Sequence, residues 1–202
     1  MTIIRTVEEL KAIYDGTSEA SIAKVTRALT AEYRQMIEAS PFLALATVAP
    51  EGMDCSPRGD KGGVVRVADD RTILFPDWRG NNRVDSFGNI MSAPGVGLVF
   101  MVPGIPETLR VNGKGRATRD AALLAPSTMQ ERAPVTGIIV EVEEAYFHCG
   151  KALIRSKLWD PATQVPRHTF PTLGRIIADQ TKAVDGDEAD RNLEEAYRLR
   201  LY

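Results

Sequence analysis

Thr108-Leu109-Arg110-Val111-Asn112-Gly113-Lys114-Gly115-Arg116-Ala117 is the stretch that decides the fold. Thr108, Arg110, Asn112, Lys114 and Arg116 fall on one face, and Leu109, Val111, Gly113, Gly115 and Ala117 on the other. An unbroken period of two belongs to a β-strand with one polar face and one apolar or small face. Asn112-Gly113 is also a hairpin dipeptide. The alternation runs straight through it, so the segment reads as one long strand, bulged at a glycine.

Outward from this strand, the centre of the chain keeps a β texture. Phe42 to Ala49 is apolar on both faces, as in a strand covered on both sides, and Pro50-Glu51-Gly52 is turn chemistry. Short apolar runs follow at Val64 to Val67, Thr72 to Phe75, Val96 to Val102 and Val135 to Val142, with Gly, Pro and Asp clusters between them. That spacing points to a barrel or sandwich. Asp85 to Met91 and Asp120 to Leu124 read as short helices. The ends are helical. Thr6 and Glu9 form a capping box ahead of Val7, Leu10 and Tyr14. Ile22, Val25, Leu29, Tyr33 and Met36 share a helical face that Thr30 divides, and Pro41 ends this region. Phe147 to Trp159 reads as a helix stopped by Pro161 and Pro166, Thr181 to Asp190 as a mobile acidic loop, and Asn192 to Leu201 as an amphipathic helix. The expectation is a mainly β fold with helical extensions (α+β) and antiparallel strands. It forms a single domain over 1–202, with an arm at 1–40, a barrel at 41–145 and a tail at 146–202.

Composition narrows the function. The net charge is −2 over 202 residues, without the basic excess of a nucleic-acid-binding domain. No apolar run reaches the ~18 residues of a membrane helix, and the N-terminus turns charged at once, unlike a secretory signal. A cytoplasmic protein is expected. Cys55 and Cys149 are far apart and read as free thiols. His148 and His168 are the only histidines, so a zinc site would need all four of these residues to converge; no metal is expected.

Four polar clusters stand out: Ser56 to Gly63, the turn Pro76 to Ser86, the polar face of the long strand, and His148, Lys151, Arg155 and Trp159 at helical spacing. In the turn, Arg79, Arg83, Asn81, Asn82 and Ser86 follow a strand and open a helix. Arginine forks and free helix N–H groups suit a phosphate, and Trp78 suits a flat ring, so a nucleotide or flavin is indicated. The plainer readings are a polar loop at Ser56, surface pairing of Arg79 and Arg83 with Asp77 and Asp85, a solvated Arg110 face, and helix packing at Trp159. Asp54, Asp60, Asp69 and Asp70 read as loop residues. Phosphate-loop, dinucleotide, hydrolase-elbow and zincin motifs are all missing, and no catalytic residue is assigned.

Taken in order, the clusters resemble the pyridoxamine 5′-phosphate oxidase-like family, the FMN-binding split barrels. Ser56-Pro57-Arg58-Gly59-Asp60 sits where the family has a strand with an Arg. Phe75 to Arg83 sits where it has a strand-end aromatic turn with a phosphate grip. Thr108-Leu109-Arg110-Val111-Asn112-Gly113 is similar to its Q-V-R-V-x-G strand. The resemblance implies FMN as cofactor and a homodimer with flavin sites at its interface. Arg58, Arg79, Arg83 and Ser86 would hold phosphate and ribityl, and Asp60, Asp77 and Asn81 would bond ribityl or ring-edge groups. Pro76, Trp78 and Asn82 complete the grip. Arg110 would lie at the interface, and Lys151, Arg155 and Trp159 would come from the other subunit. The His148–Trp159 segment looks like one in a bacterial subgroup of these flavoproteins. The R-x-H element that orients substrate in the vitamin B6 oxidase is missing, because Arg167-His168 lacks the spacer. The implied function is an FMN-dependent oxidoreductase acting on an unknown small molecule, not the vitamin B6 oxidase itself. The alternatives are a flavin- or heme-binding protein without turnover, and a deazaflavin-dependent reductase.

Overall fold

The computed structural model describes residues 2–61, 63–80 and 82–199. Its frame is one antiparallel sheet of seven strands: β1 (Phe42–Ala49), β2 (Gly52–Gly59), β3 (Arg66–Val67), β4 (Thr72–Asp77), β5 (Gly95–Met101), β6 (Thr108–Thr118) and β7 (Thr136–His148). The order across the sheet is β2-β1-β5-β6-β7-β4-β3. The fold is mainly β with helical parts. Helices α1 (Val7–Lys11), α2 (Glu19–Ala23) and α3 (Ala31–Ala39) precede the sheet. Helix α4 (Asp85–Ser92) links β4 to β5, and α5 (Ala121–Leu124) follows β6. Helices α6 (Lys151–Ser156), α7 (Leu173–Thr181) and α8 (Gly186–Leu199) form the tail.

The long strand decides the architecture as its alternation predicts. β6 pairs with β5 on one side and β7 on the other. Leu109, Val111, Gly113 and Gly115 point into the core, beside Leu43, Leu45, Leu98, Phe100, Val140 and Val142. Its register with β7 slips between Asn112 and Gly113, so the bulge falls at the expected glycine. Helix α3 packs against β3, β5, β6 and β7, and α4 against β1, β2 and β6. Tyr33, Met36 and Ile37 of α3 and Ile90 of α4 enter the core. Thr30 does start a separate helix, since its Oγ1 caps α3 by accepting from the Tyr33 N–H, but α2 ends at Ala23 and Val25 and Leu29 lie in neither helix.

Several expectations are corrected. Residues 52–59 form strand β2, so Asp54 is a strand residue rather than a loop residue. β1 is covered on one face only: Leu43, Leu45 and Thr47 are buried, while Phe42 and Val48 are exposed. The Phe147–Trp159 helix is replaced by the end of β7, a turn, and the six residues of α6. Lys157 takes a left-handed conformation with φ 52° and ends the helix. His148 and Trp159 therefore do not share a helical face with Lys151 and Arg155. Of the segment expected as an acidic loop, Thr181 ends α7, 182–185 connect the helices and 186–190 begin α8, and α7 itself was not expected. The C-terminal end of the expected last helix lies outside the described residues. Among the described residues no helix is long and apolar enough to cross a membrane.

Candidate functional site

Strand β2 carries the site's first row. Met53, Cys55 and Pro57 face outward and are exposed, whereas Asp54, Ser56 and Arg58 alternate with them and are half-buried. β2 is one edge of the sheet, and β4 lies next to the other edge. Side chains bridge the split. The Arg58 Nη1 donates to Asp77 Oδ1 at the end of β4, 3.0 Å away, and the Arg58 Nε donates to Ser56 Oγ at 3.1 Å. The Arg58 guanidinium also lies over the Phe75 ring, 5.6 Å from its centroid. From α4, the buried Ser86 donates to Asp54 Oδ2 at 3.0 Å and stands 3.4 Å from the Ser56 hydroxyl. Deeper in, Asn89 Nδ2 donates to the buried Thr47 Oγ1 at 3.0 Å.

The electrostatics are balanced. Arg58 commits two of its five N–H donors to partners among the described residues. Burial pushes the Asp77 carboxyl above its usual range, and the Arg58 guanidinium pulls it partway back. Helix α4 begins beside this seam with no side-chain cap at Val84, and the first N–H groups of any helix have no acceptor within it. Arg83 is exposed and holds Asp85 Oδ2 through Nη2 at 2.7 Å and through Nε at 2.9 Å. A cleft of about 610 Å³ runs beside it, lined by Gly52, Asp54, Arg83, Asp85 and Asn89.

Of the expected residues, the structure thus brings together Arg58, Asp77 and Ser86, with Arg83 at the rim. Asp60 is half-buried just past β2, its N–H donating to the Pro41 carbonyl. Arg79 and Asn82 are exposed, and Asn82 takes a left-handed φ of 59°. Asn81 lies outside the described residues. Pro76 is buried in β4, and its side chain lines a different cavity of about 340 Å³ with Trp78 and Arg66. Trp78 Nε1 donates to the Arg132 carbonyl at 3.3 Å. Arg110 lies on the outer face of β6, over the Tyr146 ring at 5.2 Å. Lys151 and Arg155 are exposed on α6, and Trp159 Nε1 donates to the Ile105 carbonyl at 2.9 Å. Among the described residues no hydrogen bond or ion pair links these last four to Arg58. Sequence reasoning missed Asp54, Thr47 and Asn89, and it named Ser56 only as the start of a polar cluster, without a role in the site. The alternation of Met53, Cys55 and Pro57 with Asp54, Ser56 and Arg58 was the available signal, masked by the strand's lack of apolar residues. Cys55 and Cys149 are free and exposed, and no group of three or more metal-ligating side chains is found among the described residues.

The sequence profile of pyridoxamine 5′-phosphate oxidase matches residues 29–149, from the residue before Thr30 to just past the end of β7. The chain belongs to the pyridoxamine 5′-phosphate oxidase family. The family match takes in the whole sheet, all of the Arg58 cluster and helices α3 to α5; α1, α2 and the tail from α6 onward lie outside it. No curated protein matches the sequence. Among solved structures, a variant of HupZ from Group A Streptococcus is 18% identical, covers 59% of this chain and 99% of its own, and superposes with a TM-score of 0.50. Unaltered HupZ gives 18% identity, 58% and 92% coverage, and a TM-score of 0.48. An FMN-binding protein from Syntrophomonas wolfei gives 10% identity, 56% and 86% coverage, and a TM-score of 0.43. The first of these likenesses supports the family's fold.

Proposed function

We propose that this chain binds FMN at the split between β2 and β4 and works as an FMN-dependent oxidoreductase in a homodimer. The observation that carries the reading is the row Asp54, Ser56 and Arg58 on β2, held against Asp77 at the end of β4 and Ser86 on α4. The donor set suits the cofactor: a guanidinium, two hydroxyls and an uncapped helix start for a phosphate, and carboxylates for hydroxyl-rich ribityl. When bound, the flavin supplies the redox chemistry.

The chain's own residues bind and orient. Arg58 grips the phosphate in its fork and is kept in place by Ser56 and Asp77. Arg83 turns from Asp85 to the phosphate, and the exposed pair it leaves there is worth about 0–1 kcal/mol. Asp77 accepts from ribityl hydroxyls. Arg110 lies near the two-fold seam, and Lys151, Arg155 and Trp159 reach the flavin from the second subunit. The test is direct: purified protein is yellow and releases FMN on denaturation, and reduced nicotinamide bleaches it. Colourless protein that cannot be reconstituted with FMN ends the proposal, and bound flavin that no donor reduces leaves a binding protein instead. Arg83→Ala weakens FMN retention by about 1.5–3 kcal/mol, the value of a lost charged hydrogen bond, read by fluorescence titration of the apoprotein.

A further inference from the structure

Residues 2–25 are exposed without exception, although the segment is built to pack. Thr6 caps α1 and Ser18 caps α2 with side-chain hydrogen bonds. Val7 and Leu10 lie on α1, while Ile13 and Tyr14 fall in the turn after it rather than on the expected common helical face, and each of the four is between 42% and 70% exposed. Two capped helices of five residues each are far below the ~12–15 residues at which an isolated helix becomes even marginal in water. Such helices persist only when their apolar face is covered, and none of the described residues of this chain covers it.

The surface area says how much covering is due. The chain exposes 14173 Å². A compact monomer of 22.1 kDa exposes about 9,300 Å² by the usual scaling. The surplus of about 4,800 Å² exceeds the ~1,000–2,500 Å² that one protomer contributes to an obligate dimer. The chain also carries unfilled apolar surfaces. One is the outer face of β1, where Phe42 and Val48 are exposed beside Met53, which is 81% exposed. Another is a groove of about 460 Å³ lined by Met36, Val102, Ile105 and Phe147, with Glu32 and Glu107 at its edge. The arm holds Arg5 and Lys11 to meet such carboxylates. Acidic residues outnumber basic ones within 2–25, which disfavours an anionic lipid surface. Arm and receiving surfaces occur once each per chain, so a closed two-fold pair satisfies both.

We infer that residues 2–25 are an exchanged arm, buried against a second copy of this chain. The arm leaves the barrel at Thr26, whose backbone pairs with Ala145 in both directions at 2.8 and 3.0 Å. That bridge fixes where the crossing starts. The inference shares with the flavin proposal only the two-chain assembly.

The experiment combines sedimentation with amide exchange on the full chain. Expected is a dimer at micromolar concentration in which the amides of α1 exchange at least 10-fold more slowly than in a free peptide, with that protection lost on dilution to monomer. The triple variant Val7→Asp, Leu10→Asp, Ile13→Asp weakens dimerisation at least 10-fold and unprotects the arm. Protection at the centre of β6 stays unchanged in it, because none of the three side chains belongs to the core of its own chain. A monomer, a dimer whose arm exchanges freely, or an arm protected equally at all concentrations (docking on its own barrel) each overturn the inference. FMN content is read on the same samples: a colourless dimer with a protected arm refutes the flavin site and leaves the exchanged arm standing.

Discussion

At the scale of single residues, the site turns on how Arg58 divides its fork. Arg58→Lys keeps the charge and loses the planar geometry, so FMN affinity falls about 10-fold. Arg58→Ala removes both, and a lost charged hydrogen bond of about 1.5–3 kcal/mol is a fall of about 10–150-fold. Fluorescence titration of apoprotein measures both, and an unchanged affinity in the alanine variant removes Arg58 from the phosphate site. Asp77 gives a separate readout in pH. Burial raises its carboxyl above the ordinary 3.8, with Arg58 opposing. The folded chain therefore holds that proton more tightly than the unfolded chain does. The resulting stabilisation is fully present below 3.8 and is lost as the pH climbs through the raised folded value. Paired urea melts of the wild type and Asp77→Asn are expected to show the wild type's relative stability declining across that window and level above it. A relative stability that rises instead means that the Arg58 charge outweighs burial.

At the scale of elements, β6 was legible because its period of two runs unbroken through a dipeptide that elsewhere makes a turn. The glycine at the slip is sterically required: a Cβ at Gly113 would strike the Glu141 carbonyl oxygen. Gly113→Ala must therefore break the β6–β7 ladder or move it, at a cost of about 2 kcal/mol or more. Gly88 is the control. It sits inside α4, and a methyl added there would meet no atom within 4 Å, so Gly88→Ala gains about 0.5–1 kcal/mol from helix propensity. Thermal or denaturant melts of the two variants should move in opposite directions. β2 was legible only through the family resemblance at Ser56 to Asp60, and its own residue pattern hid it for a physical reason. Its half-buried row is polar because it faces the split, so the hydrophobic signal that marks other strands is missing. The end of β7 was misread because 148, 151, 155 and 159 fit a helical period by number alone. Tyr146 and Phe147 instead extend the ladder to β6, and Gly150 lies so close to Pro106 that a side chain there would clash. No residue spacing announces that approach.

At the scale of the whole molecule, the candidate site is a consequence of closure, which explains why Arg58, Asp77, Arg83 and Ser86 could be named in advance while the pairings among them could not. Arg83 and Ser86 are neighbours in sequence and share one turn, so local pattern suffices. Arg58 meets Asp77 across 19 residues and Ser86 meets Asp54 across 32, contacts that exist only once β2 is carried round to β4. Among the described residues no backbone ladder joins those two strands. The barrel is held shut there by an ion pair and a short chain of hydroxyl and carboxylate hydrogen bonds, plus α4 packed over β1 and β2. Side-chain bridges open more easily than ladders, so the seam belongs to the low-stability end of the molecule and β6 with β7 to the high end. Amide exchange is expected to show β2 and α4 opening at a free energy well below global unfolding, while the centre of β6 exchanges only through it. Arg58→Ala speeds exchange in β2 and α4 and leaves β6 unchanged relative to global stability. FMN, if it spans the split, slows those same segments in proportion to its occupancy. Equal protection of β2 and β6 in the free protein, or ligand protection that bypasses β2, would show that the two edges are joined by something stronger than the Arg58 cluster.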